Sequence, residues 1–307
     1  MGIAIPAARL LMDEHFRRPF SGSVLELGKQ HIWFSLEELR RWAPKHNVNL
    51  IEPDAVALSD IDFLRKKGCI DDVSFFKAMG FQAVESCDVS DYEGADHVLD
   101  LNLPVPEKFH NSYDVIVDGG TLEHIFNLPQ VLKNIFSMLK PGGRIIHLTP
   151  SSNFVDHGFY MFSPTLFFDY YTVNRWNIVT NYLINNTVDH EKDPWKIYAY
   201  TPGCIDHLSY GGFDKGNLTG LFIVAEKSSN STADKIPQQF DGRKSEYSVA
   251  ADTDFPEGDP TLLSKIEKFL RVFPRFHGFV EHNYNRILRT FNSLFRKNRM
   301  PSLIKKY

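Results

Sequence analysis

The sequence predicts an α/β fold built on a mostly parallel sheet with helices on both faces. Two stretches carry that expectation. Tyr113-Asp114-Val115-Ile116-Val117 is a short apolar run that breaks abruptly at Asp118-Gly119-Gly120. About one helix later, Leu139-Lys140-Pro141-Gly142-Gly143-Arg144 turns the chain into a second apolar run, Ile145 to Leu148. Between them Val131, Leu132, Ile135, Phe136 and Leu139 recur at helical spacing. Parallel neighbours need a crossover connection, so strand, loop, helix, tight turn and strand read as a parallel unit. Ligands of such sheets sit beyond the carboxyl ends of the strands, here at Asp118, Gly119, Gly120 and Pro150.

The other elements follow in order. Pro6 to Arg18 reads as a leading helix with Leu10, Leu11 and Phe16 on one side. Ser23-Val24-Leu25-Glu26-Leu27-Gly28 is a buried-strand run ending in glycine. Ser35 and Glu38 form a capping box that opens a helix through Trp42. Asp54 to Met79 reads as mixed and mainly helical. Gln82 to Val89 is a strand that closes on Asp88, and His97 to Leu101 is a short one. Ser163-Pro164 opens a helix with proline in its first turn. Asn177 to Leu183 and Leu218 to Ala225 are two β-rich runs. The segment 186–216 between them is long for a simple connection and reads as an insertion.

Residues 1–228 therefore form the α/β body. Residues 229–260 are rich in Ser, Asp, Gln, Gly and Pro and read as a polar linker. Residues 261–307 read as a basic amphipathic helical extension, with Tyr284, Ile287, Leu288, Phe291, Leu294 and Phe295 at helical spacing.

The 307-residue chain has a net charge of −4, which does not suit a nucleic-acid binder. The charge is uneven: from Asp259 to Tyr307 eleven Lys and Arg face three acids, +8, so the rest carries −12. The extension is open to three readings: packing on the body or a homodimer contact, an anionic membrane surface, or nucleic acid. The third is the weakest because the body is acidic. Cys69, Cys87 and Cys204 are scattered and odd in number, so neither a disulfide framework nor a metal site is expected. With no charged leader before an apolar run and no stretch long enough to span a bilayer, the expected location is cytoplasmic, with room for peripheral contact at the inner membrane surface.

The series Asp118-Gly119-Gly120, Leu122-Glu123-His124-Ile125 and Leu139-Lys140-Pro141-Gly142-Gly143 resembles the second half of a class I S-adenosylmethionine-dependent methyltransferase. The resemblance covers about residues 20 to 228. It implies a Rossmann-like, seven-stranded, mostly parallel sheet whose last strand is antiparallel, and S-adenosylmethionine as cofactor. By that resemblance Gly28 makes the first turn, where a glycine lets backbone approach the ligand. Glu26 takes the acidic position on the same strand. Asp88, with Val89, would hold the ribose hydroxyls; Asp100 and Leu101 would flank the adenine; Asp118, Gly119 and Gly120 complete the rim.

One departure stands out. Where the family alternates glycines, this chain has Lys29-Gln30 after Gly28. Either Lys29 and Gln30 replace backbone contacts to the cofactor, or cofactor use is weak or lost. The absence of G-x-G-x-x-G argues against a nicotinamide enzyme, leaving an oxidoreductase on a related fold as a weaker reading.

Methyl transfer depends mainly on alignment, with a general base adding rate for a hydroxyl acceptor. His157, in a loop rich in glycine and aromatics, and His124, just after the strand, are the candidate bases; a histidine pKa near ~6.5 suits the task. Tyr160, Phe162 and Tyr170 are candidates for the acceptor pocket, and His147 reads as core. The runs 91–96, 100–102 and 157–164 resemble a bacterial subgroup associated with glycan and natural-product clusters. The implied acceptor is a hydroxyl, or less favourably an amine, of a small molecule or sugar. The competing reading is an inactive methyltransferase-like scaffold recruited by its basic extension.

Overall fold

The computed structural model describes residues 2–187, 194–205, 213, 216–238 and 301–307. In chain order the elements are β1 (Gly2–Ile3), α1 (Ile5–Arg17), β2 (Ser23–Leu27), β3 (His31–Ile32), α2 (Leu36–Trp42), α3 (Asp62–Lys66), α4 (Asp72–Ala78), β4 (Ala83–Asp88) and β5 (His97–Val98). They continue with β6 (Tyr113–Asp118), α5 (Leu128–Met138), β7 (Leu139–Ser152), α6 (Pro164–Val173), β8 (Asn177–Asn186), β9 (Lys196–Ala199), β10 (Leu218–Glu226) and β11 (Leu303–Lys306). Short 3-10 turns stand at Ala43–His46, Glu107–Phe109 and Leu122–His124.

The main sheet runs β11-β9-β8-β10-β7-β6-β2-β4-β5. From β5 to β7 every pairing is parallel. β10 then runs antiparallel to both β7 and β8. Those seven strands are the expected Rossmann-like body, with β10 as its one reversed strand.

Two strands of the main sheet were not expected, nor was the separate two-stranded parallel sheet of β1 and β3. Part of the 186–216 insertion is β9, which extends the edge next to β8, and β11 pairs antiparallel with β9. Residues 303–306 of the expected helical extension are therefore strand. The remainder of that extension, 261–300, lies outside the described residues. The first residues of the expected linker lie against the body. Thr232 N donates to Asn174 O at 2.9 Å, Lys235 N to Asn174 Oδ1 at 3.0 Å and Trp176 Nε1 to Thr232 O at 3.0 Å, so 228–235 is pinned against the end of α6. The stretch Asp54 to Met79 is not one helix: it breaks at Gly68, whose φ of +76° closes α3 and leads into a bridge between Leu58 and Ile70.

Local chemistry accounts for the elements. Glu38 N donates to Ser35 Oγ while Ser35 N donates to Glu38 Oε2, so both free donors at the start of α2 are satisfied. Alternate strand residues divide between two faces. Val115, Val117, Ile146 and Val224 join one apolar cluster with α1, α2 and α4. On the other face His147 meets Phe167 and Tyr171 of α6. A buried ion pair crosses the first layer: Arg144 Nη1 of β7 donates to Glu14 Oε1 of α1 at 2.7 Å, and its second arm donates to Arg18 O. Burial raises the Glu14 carboxyl against the pull of Arg144.

The chain divides into a compact unit of Met1–Gly203, Gly211–Gln238 and Pro301–Tyr307, and a second unit of Cys204–Tyr210 and Gln239–Met300. The second lies almost wholly outside the described residues.

Candidate active site

β2 sits between β4 and β6, and the chain leaves it first to one side and then to the other. That is where a doubly wound sheet opens a crevice at its carboxyl edge. Register fixes the rim: Leu27 lies opposite Cys87 on one side and Asp118 on the other. Gly28, Asp88 and Gly119, one residue further along each strand, therefore stand side by side. Gly28 has φ of +69°, and its N–H donates to Cys87 O at 2.8 Å. The turn thus needs a residue that tolerates the left-handed region.

Asp88 is half-buried, and its Oδ1 accepts only a long bond from Ser90 N at 3.4 Å. Val89 beside it is exposed. Asp100 is exposed and its Oδ1 accepts from the Asn102 backbone and side chain, each at 2.9 Å. Leu101 is buried. Its carbonyl accepts from the buried Asn134 of α5, which also holds Leu103 O, so α5 fixes the wall that the sequence assigned to Asp100 and Leu101.

The Lys29-Gln30 departure takes a definite form. Gln30 folds back on its own turn: Nε2 donates to Gly28 O at 2.9 Å and Leu27 O at 3.3 Å, and its backbone N donates to Glu26 Oε2 at 3.1 Å. Glu26 Oε1 and Gln30 Oε1 are buried with no hydrogen-bond partner among the described residues. Burial, reinforced by Asp72, pushes the Glu26 carboxyl well up. Lys29 is half-buried and reaches over Gly94. It lines a cleft with Gln30, His31, Ser59, Asp60, Asp71 and Asp72, an acidic wall that sequence reading did not assign.

Asp118 and Gly120 turn out to be structural. Asp118 is fully buried. Its Oδ1 accepts from Thr121 N at 2.9 Å and Leu122 N at 3.2 Å, and Oδ2 pairs with His147 Nδ1 at 2.8 Å. His147 Nε2 in turn meets Tyr171 OH at 2.6 Å. The Asp118 carboxylate is used up inside the protein and does not face the rim, which corrects its assignment as a ligand contact. Gly120 is buried with φ of +100° and serves the turn.

Two of the three acceptor-pocket candidates are also corrected. Phe162 is 2% exposed and packs between Tyr160 and Phe167, and Tyr170 is 6% exposed, its hydroxyl donating to Ala233 O. Both belong to the core around α6. Tyr160 is half-buried and its hydroxyl donates to Phe126 O at 2.7 Å. Around it Phe126 and Phe159 pack edge to face and stay 71% and 66% exposed.

The two candidate bases come together. His124 and His157 rings lie 5.1 Å apart by centroid, and both are exposed. Between them sits a residue sequence reading did not single out, Glu123. It is 1% exposed, and His157 Nε2 lies 3.7 Å from its Oε1. Burial and the charge of Asp118 push Glu123 up to about 8. Burial and the neighbouring His157 push His124 down. The loop after β7 is locked over Glu123: Phe159 N and Tyr160 N donate to its carbonyl at 2.8 and 3.2 Å. A side chain at Gly158 would sit 2.8 Å from that carbonyl, so only glycine allows the approach. Histidines 33 residues apart give no local signal; the adjacent pair Glu123-His124 at a strand end was the available clue.

A family model described as a methyltransferase domain matches residues 6–169. A 68-residue stretch is 34% identical to the demethylmenaquinone methyltransferase of Symbiobacterium thermophilum. That match covers 21% of this chain and 26% of the relative, so it spans about a quarter of the relative's length. Among similar solved structures is the 1,6-didemethyltoxoflavin-N1-methyltransferase of Burkholderia thailandensis, bound to 1,6-didemethyltoxoflavin and S-adenosylhomocysteine. It is 13% identical, with 72% of this chain and 76% of that one covered and a TM-score of 0.34. Another is phospholethanolamine N-methyltransferase 2 of Haemonchus contortus with S-adenosylhomocysteine, at 11% identity, 73% and 54% coverage and a TM-score of 0.37. The strand order, rather than these likenesses, carries the fold. With more than half of its length matched by the family model, the chain belongs to the methyltransferase domain family.

Proposed function

We propose that this protein is an S-adenosylmethionine-dependent methyltransferase acting on a hydroxyl, or less favourably an amine, of a small molecule or sugar. The observation that carries the reading is the rim where Gly28, Asp88 and Gly119 meet, with the Glu123, His124 and His157 cluster one short 3-10 turn beyond it.

The residues present suit the cofactor. A methionine ammonium needs acceptors, and Glu26 Oε1 and Gln30 Oε1 are buried acceptors without partners among the described residues. Ribose hydroxyls need an acidic acceptor, which Asp88 supplies. The bound sulfonium supplies an activated methyl group. The chain's own part is to orient the acceptor and to take its proton. The exposed Phe126 and Phe159 offer flat apolar surface on which a sugar face or an aromatic ring can lie. His124 and His157 stand next to that surface as proton acceptors.

The test is calorimetric titration of the full chain with S-adenosylhomocysteine, with NADH as control. Micromolar binding of the first alone is the expected result. No binding at millimolar concentration overturns the reading in favour of a scaffold in which Gln30 has closed the pocket.

A further inference from the structure

We infer that Glu123, His124 and His157 form a binding site for a divalent first-row transition-metal ion. The three side chains each offer one ligand atom, and these atoms all lie within 4.8 Å of one another. Ligand bonds of about 2.0–2.2 Å would bring them closer together than that, so the site must tighten. The Glu123 carboxyl is buried, whereas His124 and His157 are exposed, so rotation of the two imidazoles toward it is the motion that tightening requires.

Two further observations mark this as a built site. Glu123 Oε2 is buried with no hydrogen-bond partner among the described residues, although Glu123 is 99% out of contact with solvent. A buried carboxyl oxygen left without a partner is costly, and a cation beside it would both supply the partner and favour the ionised form. Second, the backbone is arranged to deliver His157: Phe159 N and Tyr160 N hold the Glu123 carbonyl, Gly158 permits the contact, and Asp156 turns the chain at φ of +62°. None of these devices is needed for packing an exposed histidine.

Ligand chemistry sets the class of ion. Two imidazoles and one carboxylate favour Zn²⁺, Mn²⁺, Fe²⁺ or Co²⁺ over Mg²⁺ or Ca²⁺, which prefer all-oxygen sets. Three protein ligands leave open positions toward solvent. The exposed Phe126 and Phe159 each stand two residues from a histidine of the set, so an acceptor held on that aromatic pair would lie near the ion. A coordinated hydroxyl loses its proton to solvent more readily. This role rests on the transferase reading above, with the bound ion taking the place of His124 and His157 as the means of deprotonating the acceptor; the binding itself does not.

The experiment uses the full chain, stripped with a chelator and titrated with CoCl₂, ZnCl₂ and MnCl₂ in turn. The expected result is one equivalent bound at micromolar affinity, with a visible Co²⁺ absorption band. His157→Ala and His124→Ala should each weaken binding at least tenfold, while Glu123→Gln, which keeps shape, should abolish the band. Both histidines are exposed, so these two variants should keep the wild-type melting temperature. No saturable binding below millimolar metal overturns the site, as does equal binding by wild type and both histidine variants. S-adenosylhomocysteine titration is run separately. Metal binding without nucleoside binding leaves this site standing and removes the transferase reading; the converse removes this site alone.

Discussion

Gly119 and Gln30 are fitted to each other: a Cβ at 119 would lie 2.4 Å from Gln30 Oε1 and 2.7 Å from its amide carbon. Gln30 cannot swing away cheaply, because its Nε2 is bonded to Leu27 O and Gly28 O. The glycine at 119 makes room for the Gln30 side chain. Gly119→Ala should therefore distort the first loop, weaken S-adenosylhomocysteine binding and destabilise the fold by about 1–3 kcal/mol. Gln30→Ala combined with it should recover most of that stability. Additive losses in the double variant, measured by denaturant unfolding, would show that the two positions are independent.

Asp88 is the acid placed by register at the rim, with Oδ1 only weakly engaged. Asp88→Ala is expected to weaken S-adenosylhomocysteine binding at least tenfold, about 1.4 kcal/mol, with a smaller loss for Asp88→Asn. Calorimetry decides it. Unchanged affinity in the alanine variant removes Asp88 from the ribose role.

What could be read in advance was whatever is written locally. The Ser35 and Glu38 box and the break at Asp118-Gly119-Gly120 are each signalled within a few residues, and each appears where expected; Leu139 to Gly143, expected as a turn, is instead the irregular start of β7, where the register against β6 shifts. The rim followed from strand ends. The rest depends on distant partners. β9 is four residues long and pairs with β11 more than a hundred positions away, so neither has a pattern long enough to identify it. Phe162 and Tyr170 have the composition of pocket residues, but Phe162 packs against Phe167 of α6 and Tyr170 lies on the buried side of that helix. The role of Asp118 is hidden in the sequence because His147, its partner, and Tyr171, which bonds His147, lie 29 and 53 residues on. Glu123 was passed over because a glutamate at a strand end is ordinary until a loop is seen to close on it.

The Asp118, His147 and Tyr171 chain is read as a brace for the end of β6. Burial pushes the Tyr171 hydroxyl well up, so it keeps its proton and donates to His147 Nε2, and His147 Nδ1–H donates to Asp118. Tyr171→Phe removes the donor and leaves a fully buried imidazole nitrogen unpaired. The expected cost is about 1–3 kcal/mol of stability. S-adenosylhomocysteine affinity should stay within twofold. A variant of full stability that has lost affinity would place this chain in the ligand site instead.

Asp13 ties α1 to the strand that sequence reading missed. Its carboxylate accepts from His46 Nδ1 at 2.9 Å and also from Lys305 and Tyr307 at the end of β11. Burial opposes its ionisation, but the hydrogen bonds from His46, Lys305 and Tyr307 outweigh this and hold it below the usual carboxylate range. The sign follows from linkage. A carboxyl with a lowered folded pKa contributes stability that is complete above its unfolded value, near ~3.9, and is lost as pH falls through the folded value. Asp13→Asn should therefore lower the melting temperature at pH 7, by an amount matching about 1–3 kcal/mol for lost bonds to a charged group. The gap between variant and wild type should narrow once the pH drops below 4. Hydrogen exchange should show faster opening at Leu303–Lys306 than at β6 in the variant. A gap that stays constant from pH 7 to pH 3 would mean that Asp13 acts through shape rather than charge.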